Sequence, residues 1–212
     1  MKSTTMSPLP QIGGYYPNRM VLNILIALED VIGRNGVHAL LRLAQLPNLV
    51  DDYPPGNLNR EVSFAALSAI NIALEDLYGL RGSRGLATQA GRAAFEKELL
   101  RSTAALEENI HDVVNLPPFE MLYQGIPVVT QMYNQLTGQS VSLHKEAGMV
   151  ILENAACPFC WGRDDQDHPV CFMFVGMMRA GLTWIYSELD YQIKEASCCA
   201  EGDPSCKFML HI

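Results

Sequence analysis

Apolar side chains recur at helical spacing along most of the first two thirds of the chain. Between Pro17 and Gly33, for example, apolar residues return every three or four positions, which is typical of a helix that buries one face. Similar stripes predict further helices, separated by glycine-rich breaks or loops. The predicted helices cover about residues 17–33, 36–46, 61–79, 84–101 and 119–137. Pro127 interrupts the last of these and predicts a kink.

The pattern changes in the last third of the chain. Residues 140–146 alternate apolar and polar side chains and a short apolar run follows at 149–152, which together predict a β-hairpin. A long apolar helix is expected at about 170–187, followed by strands at about 189–197 and 205–211. Because helices come first and strands follow with one crossing helix, the predicted fold class is α+β. We expect an antiparallel sheet of about four strands with helices packed on it and a helical N-terminal half.

The domain organisation is predicted to be simple, since 212 residues suit one domain. Residues 1–16 carry prolines and a Gly-Gly pair and are predicted to form a flexible arm. The remainder, 17–212, is predicted to be a single domain. It contains a helical part at 17–138 and a part at 139–212 that ends in a hairpin.

The small fraction of charged residues and the negative net charge limit which partners the protein is expected to bind. Formal net charge is −8, Lys and Arg total only 15, and no basic stripe is visible, so binding to nucleic acid is not expected. Charged residues make up 18% of the chain, below the ~25% of ordinary soluble domains, which predicts that apolar surface is covered in a homodimer. Neither an apolar run of about 18 residues nor an apolar signal core occurs, so we expect no membrane span and a cytoplasmic location.

All six cysteines lie between residues 157 and 206. In a reducing cytoplasm, such clustering favours a metal site or a redox pair over structural disulfides. Glu195 and Cys198 come shortly before a turn and Cys206 comes shortly after it. This arrangement offers a carboxylate and two thiolates, which a tetrahedral zinc ion can bind. The sequence therefore predicts a zinc site near the C-terminus.

The remaining ligands of this ion can be chosen in more than one way. One set is Cys171, Glu195, Cys198 and Cys206, in which Cys171 begins the crossing helix. A second set is Cys157, Cys160, Cys198 and Cys206, as in a zinc ribbon. The C-x-x-C motif formed by Cys157 and Cys160 could instead be a separate redox pair or a second metal half-site. Several of the cysteines could also be small buried apolar residues.

A family resemblance bears on this choice. The segment Pro169-Val-Cys171, then Gly176 and Gly181, then Glu195-x-x-Cys198 and Cys206-Lys-Phe resembles the 4-vinyl reductase domain family over about residues 140–212. That family includes hydrocarbon-binding proteins and the aromatic-sensing domains of bacterial transcription activators. The resemblance implies that Cys171, Glu195, Cys198 and Cys206 bind zinc. Three thiolates and a carboxylate leave no position for water, so this zinc would be structural and would pin the terminal hairpin to the crossing helix.

A ligand pocket is predicted beside this site. The helix after Cys171 is apolar nearly all round, and together with the helix at 119–137 it can wall an apolar cavity. The predicted lining residues are Tyr123, Met132, Tyr133, Phe174, Met177, Met178 and Trp184.

The predicted function is therefore the binding of a small hydrophobic or aromatic molecule by a sensor, carrier or accessory protein. No Ser–His–Asp arrangement, nucleotide-binding glycine motif or recognisable site for a reductant occurs, so catalysis is not expected. Two alternatives stay open. One is a role in reducing a vinyl group of a tetrapyrrole, which only the resemblance implies, and the other is an interaction module without a ligand.

Overall fold

Five α-helices and six β-strands make up the part of the chain that the computed structural model describes, namely residues 14–102, 117–146, 149–186 and 191–211. The helices are α1 (Asn18–Leu43), α2 (Asn48–Asp51), α3 (Phe64–Arg101), α4 (Pro118–Thr137) and α5 (Phe172–Ile185). The strands are β1 (Tyr15–Pro17), β2 (Arg60–Ser63), β3 (Ser142–Glu146), β4 (Met149–Asn154), β5 (Gln192–Ser197) and β6 (Cys206–His211). The predicted α+β class, with an antiparallel sheet and a helical N-terminal half, is confirmed.

The larger sheet contains four strands in the order β3-β4-β6-β5, and all neighbours are antiparallel. Its buried face follows from the alternation of side chains along each strand. In β5, Ile193 and Glu195 are buried while the residues between and beside them are exposed or only partly buried. In β6, the buried positions include Phe208 and Leu210. Glu195 thus lies on a mainly apolar face, where a carboxylate is rare unless it is paired.

Helices α3 and α5 approach each other closely through two glycines. A Cβ atom on Gly176 would lie 2.0 Å from the carbonyl oxygen of Thr88, and one on Gly91 would lie 2.0 Å from that of Met173. The two backbones can touch only because both positions lack a side chain. On its other side α5 contacts β6 through aromatic rings, so α5 lies between α3 and the larger sheet.

The two long helices of the N-terminal half, α1 and α3, contain the same five-residue run, and each is kinked a few residues after it. Ile-Ala-Leu-Glu-Asp occurs at 26–30 in α1 and again at 72–76 in α3, and a glycine follows each run, Gly33 or Gly79. Both glycines combine a positive φ of 72° or 66° with an extended ψ, a conformation that glycine alone adopts readily. The predicted breaks at these glycines are confirmed. The helix resumes directly after Gly79, however, and not near residue 84 as predicted.

The start of the described chain is a strand, although the sequence placed it in a flexible arm. Tyr15 and Tyr16 lie in β1, which pairs with β2 in a small antiparallel sheet. Tyr16 is fully buried, and its ring packs edge-on against Phe159 with the centroids 5.9 Å apart. This burial fixes the strand, while residues 1–13 of the predicted arm lie outside the described residues.

Helix α4 continues through Pro127 and ends at Thr137, where Gly138 adopts a left-handed conformation. A proline inside a helix removes one backbone hydrogen bond, but the chain is helical on both sides of Pro127. The hairpin of β3 and β4 and the strands β5 and β6 match the predicted pairs within a few residues. Among the described helices, none combines the length and apolar character needed to cross a membrane.

Candidate metal centre

Five cysteines come together where three segments of the C-terminal third meet. Cys157 and Cys160 lie in the loop after β4, Cys171 immediately precedes α5, and Cys198 and Cys206 flank the turn between β5 and β6. All five side chains are buried. The fold therefore collects sulfur from a loop, a helix start and a hairpin into one apolar place.

Three of the sulfur atoms form a nearly equilateral triangle. The Sγ atom of Cys171 lies 3.8 Å from that of Cys198 and 3.8 Å from that of Cys206, and the last two are 3.9 Å apart. In a regular tetrahedron with a metal–sulfur distance of about 2.3 Å, each edge measures about 3.8 Å. The three sulfurs are therefore spaced like three ligands of one tetrahedral ion.

Glu195 adds a carboxylate to this triangle. Its Oε2 accepts a hydrogen bond from the backbone N–H of Cys171 at 2.8 Å, whereas Oε1 is buried without a hydrogen-bond partner among the described atoms. One carboxylate oxygen and the sulfurs of Cys171, Cys198 and Cys206 lie within 4.8 Å of one another. Burial, and next the charge of Cys198, raises the pKa of Glu195 to about 9. A cation in the cluster would oppose both effects and keep the carboxylate ionised.

The C-x-x-C pair belongs to the same cluster. Cys157 Sγ lies 3.4 Å from Cys171 Sγ, and Cys160 Sγ lies 3.4 Å from Cys206 Sγ. These four sulfurs form a second group of donors within 4.8 Å of one another. The structure thus groups the pair with Cys171 and Cys206, whereas the zinc-ribbon alternative required Cys198 in place of Cys171.

Hydrogen bonds between sulfur atoms set the protonation of the cluster. Those from Cys160, and next from Cys171 and Cys206, hold the pKa of Cys198 well below its ordinary value. Burial raises the pKa of Cys157 to about 11, and it raises the pKa of Cys171 well above its ordinary range. A metal ion bound by these sulfurs would displace the remaining thiol protons.

Polar contacts fix the C-x-x-C loop to helix α3. The side-chain amide of Asn71 donates to the carbonyl oxygen of Phe159 at 2.8 Å. The buried guanidinium of Arg163 donates to both carboxylate oxygens of Glu75, at 2.9 and 2.7 Å. Sequence reasoning did not single out these residues. The available signal was the repeated Ile-Ala-Leu-Glu-Asp run, in which the equivalent Glu29 also accepts a hydrogen bond from a later loop, from Tyr53 at 2.8 Å.

Two nearby residues belong to neither donor group. Cys199 is only partly buried, and its contribution to the cluster is a backbone N–H that donates to Cys206 Sγ at 3.4 Å. His168 lies close to the cysteines in sequence, but its Nδ1 contacts Asp167 Oδ1 at 2.5 Å. Neither contributes a donor to the two groups found among the described residues.

The residues predicted to line a ligand pocket lie partly in the core and partly at its edge. The fully buried ones are Tyr133, Phe174, Met177 and Met178. The partly buried ones are Tyr123, Met132 and Trp184. The rings of Tyr133 and Phe174, from α4 and α5, pack edge to face with their centroids 5.2 Å apart.

Among the described residues, helix α5 borders a cavity at each of two places. One of about 250 Å³ lies near its start and has a charged lining that includes Arg84, Arg179 and Glu195. The other, of about 260 Å³, lies between the later turns of α3 and α5. Its lining residues are Glu96, Leu99, Leu100, Ala180, Thr183 and Trp184. Of the predicted pocket residues, Trp184 lines this second, mainly apolar cavity.

Solved structures of H-NOX domains share this fold. An Fe(II) unliganded H-NOX protein from K. algicida superposes with a TM-score of 0.57 at 10% identity, covering 92% of this chain and 95% of that chain. An H-NOX domain from Shewanella oneidensis in the Fe(II)CO state superposes with a TM-score of 0.52 at 17% identity, covering 90% of this chain and 97% of that chain. An oxygen-binding H-NOX domain related to soluble guanylate cyclases superposes with a TM-score of 0.51 at 11% identity, covering 92% of each chain. At these identities the likeness shows the fold alone. No curated protein matches the chain.

These comparisons correct two predictions. The resemblance to the 4-vinyl reductase domain family is wrong, because the fold relatives are H-NOX domains and the matching family profile is a different one. With it falls the suggested role in vinyl reduction. The assignment of zinc as the cofactor is also wrong, because the solved structures of this fold are described in Fe(II) states. The spacing of Glu195, Cys198 and Cys206 predicts donors beside a turn, but it specifies neither a family nor an ion.

The sequence profile that does match is that of methanogen output domain 1. It covers residues 83–211, from the second half of α3 to β6. The matched region includes every cysteine of the chain, Glu195, and the crossing of α3 and α5. It also exceeds half of the 212 residues. The chain therefore belongs to the methanogen output domain 1 family.

Proposed function

We propose that this chain is a sensory domain of a signalling protein in which a buried metal–thiolate centre fixes helix α5 to the terminal hairpin. The observation that carries the proposal is the donor set around Cys171: a sulfur triangle with tetrahedral edges, beside the unpartnered Oε1 of Glu195. An unpaired carboxylate in an apolar interior is costly, and a cation among these donors would offset that cost. The family name, which describes an output domain, supports a role in signalling.

The donors define the kind of ion. Thiolates are soft ligands that select transition metals over magnesium or calcium, and a closed tetrahedral set leaves no position for water or substrate. The proposed ion is therefore a divalent, thiophilic transition-metal ion with a structural role. Because its ligands must stay reduced to bind it, the proposal places the protein in the cytoplasm.

Haem, the group bound by H-NOX domains, does not fit either of the two cavities described beside α5. The two cavities beside α5, of about 250 and 260 Å³, fall below the roughly 300–1,000 Å³ of ordinary ligand sites. Neither is lined by a histidine, a common axial ligand of haem iron, and His111 lies outside the described residues. The rings of Tyr133 and Phe174 pack against each other where α4 meets α5. No haem chemistry is assigned to this chain.

A smaller apolar ligand fits the cavity beside Trp184. A dry cavity of about 150 Å³ is large enough for benzene or xenon. This one measures about 260 Å³ and is a partly open groove, with Leu100, 72% exposed, in its lining. Leu99, Ala180 and Trp184 supply its apolar lining. Helix α5 connects the two sites, because Cys171 precedes its first residue and Trp184 lies in its last turn. A ligand that shifts the end of α5 would therefore act on the same rigid helix that the metal centre holds.

The proposed function also includes a homodimer. Large apolar side chains near the two kinks are exposed: Val31, Leu77, Tyr78 and Leu80. These positions follow the repeated runs in α1 and α3, and each lies within two residues of Gly33 or Gly79. Covering them with a second copy would remove apolar surface from water.

The metal site can be tested with variants of the two cysteines that both donor groups share. We expect protein purified under reducing conditions to carry metal by elemental analysis and native mass spectrometry. Cys171→Ser or Cys206→Ser should reduce the bound metal below one tenth of the wild-type content, while Cys199→Ser should retain it. Since these variants could also unfold, the wild-type protein is titrated with Co²⁺ after chelation. Absence of a thiolate-to-cobalt charge-transfer band in the folded wild type would refute the site.

The ligand site can be tested by fluorescence, because the chain has only two tryptophans. Trp161→Phe leaves Trp184 as the sole tryptophan, and we expect benzene to change its emission in a saturable way. Trp184→Phe is the matched control, in which Trp161 emission should not respond. An equal response, or no response, in both variants would reject the cavity as a binding site.

A further inference from the structure

We propose that the cluster holds two metal ions that share the thiolates of Cys171 and Cys206. This inference deepens the proposed function, on which it rests, by adding a second ion to the same site. One ion would be bound by Cys171, Glu195, Cys198 and Cys206, and the other by Cys157, Cys160, Cys171 and Cys206. The ions would be divalent and thiophilic, each with tetrahedral coordination.

The number of buried donors is the first argument. Five buried thiols and one buried carboxylate come together, whereas a tetrahedral ion takes only four ligands. A single tetrahedral ion would therefore leave two of the six donors without a bond to it. The donors fall into two complete groups of four, and the groups have two members in common. Two tetrahedra that share one edge use every donor once, apart from the two bridging sulfurs.

The shared edge has the length that this arrangement requires. The two sulfurs proposed as bridges, those of Cys171 and Cys206, lie 3.8 Å apart, the edge expected for a metal–sulfur distance of about 2.3 Å. Each has a close neighbour in both groups. Cys171 has Cys157 at 3.4 Å and Cys198 at 3.8 Å. Cys206 has Cys160 at 3.4 Å and Cys198 at 3.9 Å. Each of the two sulfurs is thus placed between two sets of terminal ligands, as a bridging thiolate must be.

Charge also favours a second cation. If all the buried cysteines and Glu195 ionise, one divalent ion leaves a large negative charge in an apolar interior, and a second removes much of it. The backbone offsets part of this charge, through the N–H of Cys171 that donates to Glu195, the N–H of Cys199 that donates to Cys206 and a backbone hydrogen bond from Val170 to Cys198. The competing arrangement keeps Cys157 and Cys160 protonated beside one ion, and the experiment below separates the two.

The test is a Co²⁺ titration of the wild-type full chain after chelation under reducing conditions. Two shared thiolates couple the spins of two Co²⁺ ions, so the electron paramagnetic resonance signal should rise up to one equivalent and fall towards the second. Charge-transfer absorbance should instead grow to two equivalents. A ¹¹³Cd²⁺-loaded sample should show two resonances in the thiolate-rich region. Saturation at one equivalent with an undiminished signal overturns the second ion and leaves the proposed function intact, whereas no binding overturns both.

Variants then assign the ions to their ligands. Cys157→Ser and Cys198→Ser each remove a terminal ligand of one ion only, so each should bind one equivalent and show uncoupled Co²⁺. Cys199→Ser, a cysteine outside both groups, should keep two coupled ions. If Cys157→Ser still binds two equivalents with coupling, the assignment of the second ion is wrong. Circular dichroism of each variant confirms that it is folded before its metal content is interpreted.

Discussion

The backbone N–H of Cys171 donates to Oε2 of Glu195 at 2.8 Å, and this single contact ties the start of α5 to the buried face of β5. Oε1 is buried without a hydrogen-bond partner among the described atoms, and one oxygen of this carboxylate lies within 4.8 Å of the sulfurs of Cys171, Cys198 and Cys206. The same carboxylate can therefore serve as a structural acceptor through one oxygen and as a metal ligand through the other. A mutation can separate the role of hydrogen-bond acceptor from the role of metal ligand.

Glu195→Gln should keep the acceptor for the Cys171 N–H and lose the anionic donor. We expect the fold to persist and the affinity of the ion bound by Cys198 to fall at least tenfold, about the loss seen when groups around a metal are removed. Competition with a chromophoric chelator measures this affinity. Glu201→Gln, at an exposed position close in sequence, is the control and should leave it unchanged. Equal affinities for wild type and Glu195→Gln would show that the carboxylate does not bind the ion.

The close crossing of α3 and α5 gives a second prediction. In Gly176→Ala the new methyl group would lie 2.0 Å from the carbonyl oxygen of Thr88, so the helices must separate. We expect a loss of about 1–3 kcal/mol in the free energy of unfolding, as for other overpacked contacts. Gly85→Ala is the matched control, because nothing lies within 4 Å of its added carbon and alanine favours helix. Urea denaturation of both variants checks the prediction, and equal stabilities would contradict the close crossing.

Part of this structure was predictable from sequence because its signals are local. The stripe that begins at Pro17 and the alternation along 140–146 gave helices and a hairpin in nearly the observed places. Gly33 and Gly79 could be identified as breaks because a glycine within an apolar stripe often marks a position with unusual backbone angles.

The composition of the metal centre was less predictable because it depends on tertiary packing. Spacing alone placed Glu195, Cys198 and Cys206 together, since one hairpin carries all three. Whether Cys157 and Cys160 join them depends on where the loop after β4 lies. The contacts that place this loop come from α3, a distant segment, and no local pattern reports them. The family assignment was wrong for the related reason that a short donor motif says nothing about the helices around it.

The pair formed by Arg163 and Glu75 should hold the C-x-x-C loop against α3. Both side chains are largely buried and make two parallel hydrogen bonds. Arg163→Met leaves the carboxylate without its partner, and we expect the free energy of unfolding to fall by about 3 kcal/mol. Arg92→Met, which breaks an exposed pair with Glu96, should cost less than about 0.5 kcal/mol. Thermal and urea denaturation measure both changes.

If the contact between Arg163 and Glu75 positions the loop, loss of this contact should also displace the two cysteines in the loop, Cys157 and Cys160. Arg163→Met should lower the affinity for the ion that Cys157 and Cys160 bind more than the affinity for the ion that Cys198 binds. Glu75→Gln should have the same effect, and the double variant should add little to either single one, since both remove one interaction. Additive losses in the double variant would mean that the two residues act independently, and the loop would then be held by other contacts such as that of Asn71 with Phe159.

The repeated kink yields the last prediction. Gly33 and Gly79 have φ values of 72° and 66°, a region in which a side chain is strained even where space is free, and both have nothing within 4 Å of an added carbon. Gly33→Ala and Gly79→Ala should therefore each destabilise the fold by about 1–3 kcal/mol through backbone strain alone. The open space removes steric clash as an explanation, and Gly85→Ala again controls for the intrinsic preference of alanine for helix. Because the kinks lie in different helices, the double variant should show nearly additive losses in urea denaturation. A neutral or stabilising effect of either substitution would mean that the helix runs straight through that position in solution.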